Sequence, residues 1–207
     1  MKKYLVEFIG TFFLVFTVGS TVIPPGAGPL APLAIGAALM AMIFAGGHVS
    51  GAHYNPAVSL AVWIRGKCPT ADLIPYWIAQ VLAGAFAAWL VHFFKPAGSP
   101  GSFAIGVKAA LLAEFLFTYA LAWVVLNTGT AKGTAGNSFY GLAIGMTVMT
   151  GAYAVGGVSG GAFNPAVAVG LTVMGLQTWG NIWVYLVANF GGAAAAAFTY
   201  RFVNGNE

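Results

Sequence analysis

Two apolar runs in this chain open on the same nine-residue phrase, yet each is too short to cross a membrane, and that pairing restricts the fold more than any other feature. The phrase is Ser50-Gly-Ala-His-Tyr-Asn-Pro-Ala-Val58, and it returns as Ser159-Gly-Gly-Ala-Phe-Asn-Pro-Ala-Val167, with six of nine positions identical and Tyr54 matched by Phe163. Each copy predicts a helix start, with a Ser-Gly lead-in, Asn55 or Asn164 at the cap, and Pro56 or Pro165 at the first helical position. After Asn55 the helix reaches only to about Ile64, because Arg65-Gly66-Lys67-Cys68-Pro69 breaks it. About ten residues rising ~1.5 Å each cover roughly 15 Å, half of a ~30 Å hydrocarbon core. Two such helices entering from opposite faces and meeting end to end complete one crossing.

The rest of the chain supplies the membrane context. Hydrophobic residues make up 59% of the sequence and charged ones 6%, against roughly a quarter charged in soluble domains. The 29 glycines sit inside apolar segments, where small residues such as Gly36, Gly84, Gly145, Gly170 and the stretch 191–197 let helices approach closely. The net charge of +4 reads as membrane topology, not nucleic-acid affinity, because the basic residues never form a stripe. The N-terminus, Met1-Lys2-Lys3-Tyr4 followed by apolar residues to Val18, has the outline of a secretory signal. Glu7 interrupts its apolar core and has a counterpart in the second half, which favours a retained first span. The lone Cys68 excludes an internal disulfide.

Six full spans are predicted, over Tyr4–Ile23, Leu30–Gly47, Ala71–Phe94, Val107–Leu126, Ser138–Val155 and Trp179–Val203. The breaks at Pro24-Pro25-Gly26, at 95–101 and at 127–137 have turn chemistry. Val6-Glu-Phe-Ile-Gly-Thr-Phe12 opens the first half and Ala113-Glu-Phe-Leu-Phe-Thr118 the second, so Glu7 precedes Asn55 by 48 residues and Glu114 precedes Asn164 by 50. The halves, roughly 1–101 and 102–207, are copies of one unit within a single membrane domain. Each copy holds three full spans, an odd number, so the second starts on the opposite side of the membrane and the repeat is inverted. The expected fold is therefore all-α, with six transmembrane helices plus two re-entrant half-helices whose capped ends meet near the midplane. Non-helical backbone is tolerated at that depth only where it lines a cavity. With both termini in the cytoplasm, Lys2, Lys3, Arg65, Lys67, Lys132 and Arg201 fall inside and only Lys95 and Lys108 outside, in keeping with the positive-inside rule.

Two facing helix N-termini create positive potential, free N–H donors and two carboxamide NH2 groups. A small neutral solute can accept from Asn55 and Asn164 and donate to the carbonyls of 50–53 and 159–162, while a cation or proton meets a barrier. The doubled Asn-Pro-Ala, the Ser-Gly-Ala-His lead-in, the paired Glu of "VEFIGTF" and "AEFLFT", and the six-plus-two layout together resemble the aquaporin, or major intrinsic protein, family along nearly the whole chain. The resemblance implies passive conduction, a homotetramer with one pore per subunit, and pore contacts at the two Asn-Pro-Ala motifs: Asn55, Pro56, Ala57, Asn164, Pro165 and Ala166. It also implies that Glu7 and Glu114 support the loops.

Water-selective members of that family place an Arg three residues after the second Asn, where this chain has Val167. By motif offset the other constriction positions fall at Ile35, Ala152 and Gly161, where strict water channels have an aromatic, a His and a small residue. All four are apolar or small here, a pattern resembling the plant vacuolar members that pass ammonia, urea or peroxide as well as water. The expectation is a broad neutral-solute pore for water with ammonia, urea, glycerol or peroxide. A strictly water-selective channel is the nearest alternative. Gly161 stands where some members carry a mercury-sensitive Cys, so weak mercurial inhibition is expected.

Other residues have plainer readings. His48 and His53 are five apart, which suits neither one helical face nor a metal clip; His53 is expected to brace the loop and His92 to lie at the interface. The six Trp residues read as interfacial anchors and lipid-facing packing, and Gln80 as an interhelical contact. A secondary transporter shares the signature of inverted repeats and broken helices, but the intramembrane acids are one Glu per half at equivalent positions, which suits a scaffold. No Ser/His/Asp set, carboxylate pair or metal cluster points to an enzyme, Asp72 and Glu207 lying at a span end and the C-terminus, and no cofactor is implied. A non-conducting adhesive role is the last alternative. The expected partners are water, small neutral solutes and membrane lipid, and the expected location is the plasma (inner) membrane.

Overall fold

The computed structural model describes residues 1–96 and 98–205. Ala97 and Glu207 lie outside the described residues. The described residues form helices α1 (Lys2–Val22), α2 (Ala31–Ser50), α3 (Pro56–Ile64), α4 (Thr70–Phe94), α5 (Val107–Gly129), α6 (Tyr140–Ser159), α7 (Pro165–Val173) and α8 (Ile182–Asn204), with three short 3-10 turns and no strand. The order long, long, short, long thus occurs twice. The six long helices are long and apolar enough to span a membrane, whereas α3 and α7 have nine residues each.

Helices α2, α5 and α6 outrun their predicted ends, and in each case a local device carries the extra turn. Helix α2 continues through Gly46 and Gly47 to Gly51, and α6 through Gly156 and Gly157 to Gly160; these caps have φ +85° and +89°, the left-handed conformation that ends a helix and that glycine adopts freely. Helix α5 runs through Asn127 and Thr128 because both side chains bond back four residues, to the carbonyls of Trp123 at 2.8 Å and Val124 at 2.7 Å.

Helix α1 packs on α2 and α4, α5 on α6 and α8, and α2 crosses α6 between the halves. That crossing is backbone against backbone: a Cβ on Gly36 would sit 2.8 Å from the Gly145 carbonyl oxygen, and one on Gly145 2.5 Å from that of Gly36. Gly84 of α4 meets the Ala166 carbonyl, and Gly192 of α8 that of Phe115, at 2.5 and 2.4 Å by the same measure. Small residues therefore decide where these helices touch. Outside, Leu82, Trp89, Phe93, Leu112 and Phe202 stand exposed, as a lipid-facing surface requires. Trp77 also donates to the Pro56 carbonyl at 2.9 Å, and Trp123 stacks on Tyr119.

Candidate functional site

The chain between α2 and α3, and again between α6 and α7, folds into the protein and not over its surface. Doing so forces Ala52, Tyr54 and Phe163 to φ +51°, +50° and +49°. Such angles are rare for residues bearing a Cβ and persist only where the surroundings over-determine them. Two buried carboxylates supply that constraint. Glu7 of α1 accepts from Ser50 Oγ at 2.7 Å, His53 N–H at 2.9 Å, Tyr54 N–H at 2.6 Å and Gln80 Nε2 at 2.8 Å. Glu114 of α5 accepts from Ser159 Oγ at 2.7 Å, Ala162 N–H at 2.9 Å, Phe163 N–H at 2.6 Å and Asn189 Nδ2 at 2.9 Å. Four donors fill the lone-pair positions of each carboxylate, so neither needs a partner in the central cavity.

The aromatic residue before each Asn wedges the loop tip against a glycine-floored slot. A Cβ on Gly10 would lie 2.2 Å from the Tyr54 ring, and one on Gly151 2.7 Å from the Phe163 ring. The Tyr54 hydroxyl then donates to the Met42 carbonyl at 2.9 Å.

At the tips each Asn serves two partners. Asn55 Oδ1 accepts from Ala57 and Val58 N–H at 2.8 and 3.3 Å, and Asn164 Oδ1 from Ala166 N–H at 2.9 Å, capping α3 and α7. Asn55 Nδ2 donates to the Phe163 carbonyl and Asn164 Nδ2 to the Tyr54 carbonyl, both at 2.9 Å. The half-helices thus face each other N-terminus to N-terminus, locked by a reciprocal pair of bonds. Each amide keeps a second N–H, and both Asn residues border the central cavity.

That cavity has a volume of about 280 Å³. Ile35, Ala152, Gly161 and Val167 all border it, and a Cβ on Gly161 would stand 3.6 Å from Ala152 Cα. At its other end it shares Ile43, Ala52, His53, Val125 and Ile144 with a wider vestibule of about 790 Å³. Lys67, Lys132 and His48 border the vestibule, and Arg65, whose guanidinium lies 4.8 Å from the Tyr200 ring centroid, is near it in sequence. Among the described residues no Asp, Glu, Lys or Arg borders the central cavity.

Pro56, Ala57, Pro165 and Ala166 are buried in the first turns of α3 and α7 and do not border the cavity. His53 does, at the junction with the vestibule, its Nδ1 3.0 Å from Ser59 Oγ. Two of the carbonyls expected to face a solute are engaged elsewhere: Tyr76 donates to Ser50 O at 2.7 Å and Tyr185 to Ser159 O at 2.5 Å. His92 pairs through Nε2 with the Val173 carbonyl at 3.2 Å, at the C-terminal end of α7.

The sequence profile of the major intrinsic protein family matches residues 1–200. The chain belongs to this family. It is a multi-pass membrane channel, similar along its length to several other members. It is 36% identical to Aquaporin NIP1-4 of Oryza sativa subsp. japonica, over 98% of this chain and 77% of that protein. It is also 36% identical to Glycerol uptake facilitator protein-like 6 of Lactiplantibacillus plantarum, over 100% of both, and 33% identical to Aquaporin AqpM of Methanothermobacter thermautotrophicus, over 98% and 97%. Among solved structures, the aquaglyceroporin from Plasmodium falciparum superposes with a TM-score of 0.81 at 25% identity, covering 96% of this chain and 94% of that one.

Sequence reasoning passed over Asn189, Tyr76, Tyr185, Ser59 and Thr118, and gave Gln80 only a packing role. The repeat offset was the available signal. Gln80 follows Glu7 by 73 residues and Asn189 follows Glu114 by 75, while Tyr76 and Tyr185 each follow their serine by 26.

Proposed function

We propose that this major intrinsic protein channel passes water together with small uncharged solutes such as ammonia, urea, glycerol or peroxide, and excludes ions and protons at the Asn55–Asn164 meeting point. The observation that carries this reading is the wall at Ile35, Ala152, Gly161 and Val167, which brings no charge and no side-chain hydrogen-bond donor to the cavity. No side chain in that wall binds one solute in preference to another, and a cavity of about 280 Å³ is ample beside the ~30 Å³ that a water takes in the liquid. Exclusion rests on the two N-terminal helix dipoles and on amide donors that orient toward acceptors, against which a cation has no compensating carboxylate.

Glu7 and Glu114 act in this reading as loop supports. Their lone pairs are committed to the re-entrant loops and to Gln80 and Asn189, and among the described residues no acid borders the central cavity where a coupling ion would have to meet the solute. The vestibule with Lys67 and Lys132 is the cytoplasmic end, in line with the positive-inside rule, and both termini lie on that side of the plasma membrane. The reading includes a homotetramer with one pore per subunit, the arrangement that the family resemblance implies.

The test is flux into proteoliposomes under an osmotic step, with water, glycerol, urea and ammonia measured on one preparation. All four are expected to pass, and Val167→Arg is expected to reduce glycerol and urea far more than water. High water flux with the other three excluded in the wild type overturns the broad-pore reading.

A further inference from the structure

Polar side chains along the central cavity are few and spaced. His53 stands at the vestibule end and Asn55 and Asn164 in the middle, each already accounted for. At the opposite end the wall is built from Val22, Pro32, Ile35, Val167 and Leu171, and among the described residues one side-chain amide interrupts it, that of Gln177. This residue lies outside both Asn-Pro-Ala motifs.

Gln177 is held there by the way α7 ends. Gly175, at φ +74°, reverses the chain, so that the N–H groups of Leu176 and Gln177 return to the Leu171 carbonyl at 2.8 and 3.2 Å. This fold-back turns the chain beyond the helix toward the lumen, where Gln177, four residues past Val173, is 4% exposed. A Cβ on Gly160 would lie 4.0 Å from Gln177 Nε2, which sets the amide beside the Gly160-Gly161 pair that borders the cavity. Nε2 donates to the Phe103 carbonyl at 3.0 Å, and Oε1 accepts from Asn181 Nδ2 at 3.3 Å. A primary amide offers two N–H donors and two acceptor positions, so one donor and one acceptor are left over on a buried group that borders the cavity. Buried amides with unused capacity are costly unless something supplies the missing partner.

We infer that Gln177 is the polar contact of the pore at this end, giving its spare Nε2–H to, and taking a hydrogen with Oε1 from, a solute that carries an acceptor and a donor side by side, such as an amide or a polyol. The inference rests on the broad-pore reading and sharpens it, because it names where such a solute regains the hydrogen bonds it sheds in an apolar wall. Water depends on this contact less, since each molecule in a file keeps hydrogen bonds to the waters before and after it. A solute that fills the lumen displaces those neighbours and has only the wall.

The Gln177→Met variant keeps length and volume while removing both functions of the amide, and Gln177→Leu is a second apolar replacement. The bond from Phe103 N–H to Leu176 O, 3.0 Å, still tethers the 98–106 loop in either. Asn181→Ala is the structural control, since it removes the group that steadies Gln177 but does not border the cavity. Urea and water permeabilities are measured on the same proteoliposomes. The expected result is a fall in the urea-to-water ratio of roughly two- to tenfold, the equivalent of one net hydrogen bond, in Gln177→Met or Gln177→Leu, with the ratio in Asn181→Ala within about twofold of wild type. An unchanged ratio in the apolar variants overturns the inference while the broad pore stands, and so does an equal fall in Asn181→Ala, which assigns Gln177 to holding the loop. A wild type that passes water but no urea overturns the inference, and one that also excludes glycerol and ammonia overturns the broad-pore reading with it.

Discussion

The two re-entrant loops solve one problem with two wirings. Both hang four donors on a buried Glu and add a tyrosine hydroxyl to a serine carbonyl. They differ in where the remaining hydrogen bond goes. In the first half Gln80 Nε2 also donates to Ser59 Oγ, on α3, at 3.0 Å, so the clamp reaches into the half-helix, and His53 joins it through the same hydroxyl. In the second half the residue matching Ser59 is Ala168 and the one matching His53 is Ala162. There Asn189 Nδ2 turns to Thr118 Oγ1 at 3.0 Å, on the helix that carries Glu114. The residue matching Thr118 in the first half is Thr11, whose buried hydroxyl has no partner. One hydrogen bond has in effect moved from scaffold to half-helix between the copies. Helix α3 is therefore pinned by polar side chains, whereas α7 relies on close packing, as where Gly170 meets Val15.

The largest effect is expected where the wirings agree. Replacing Glu7 or Glu114 by Ala strands four buried donors, at about 1–3 kcal/mol each, against a typical total stability of about 5–15 kcal/mol. Neither variant is expected to yield folded protein in detergent, read as loss of a cooperative tryptophan-fluorescence transition. If one of the two folds normally, the clamps are not equivalent.

The next effect sharpens the difference at the pore. His53→Ala makes the first loop resemble the second and widens the junction with the vestibule. Glycerol permeability is expected to rise roughly two- to fivefold, a barrier change of about 0.4–1 kcal/mol, with a smaller change for water. A fall in glycerol flux would mean that the imidazole assists passage.

The smallest effect isolates the moved bond. Thr118→Val removes a hydroxyl that receives the Asn189 bond and is expected to cost about 1 kcal/mol. Thr11→Val removes one that receives nothing and is expected to leave thermal stability unchanged or slightly raised. Equal losses would contradict the assignment of these hydroxyls.

Much of this architecture was legible because repetition and helix punctuation are local signals. The Asn-Pro starts of α3 and α7, the stop after Ile64, and the two glutamates could all be read from spacing. The ends of α2, α5 and α6 were less so: glycines and Asn127-Thr128 look like breakers in a string, and only packing or back-bonding to the preceding turn shows that they are tolerated. The partners of the carboxylates were harder still, because Gln80 and Asn189 lie more than 70 residues from the glutamates they bond and single polar residues in apolar helices carry no motif. Gln177 was out of reach for a similar reason. Its orientation depends on how α7 unwinds at Gly175, not on any pattern around it.

The central claim is that uncharged molecules pass where the two capped helix ends meet while charge does not. The most direct measurement records urea influx and proton leak in the same proteoliposomes, by light scattering and an entrapped pH dye, under one solute step and one pH step. The expected result is urea influx well above that of empty vesicles with a proton leak equal to theirs. A proton leak that scales with protein content, or urea influx no faster than in empty vesicles, would contradict it.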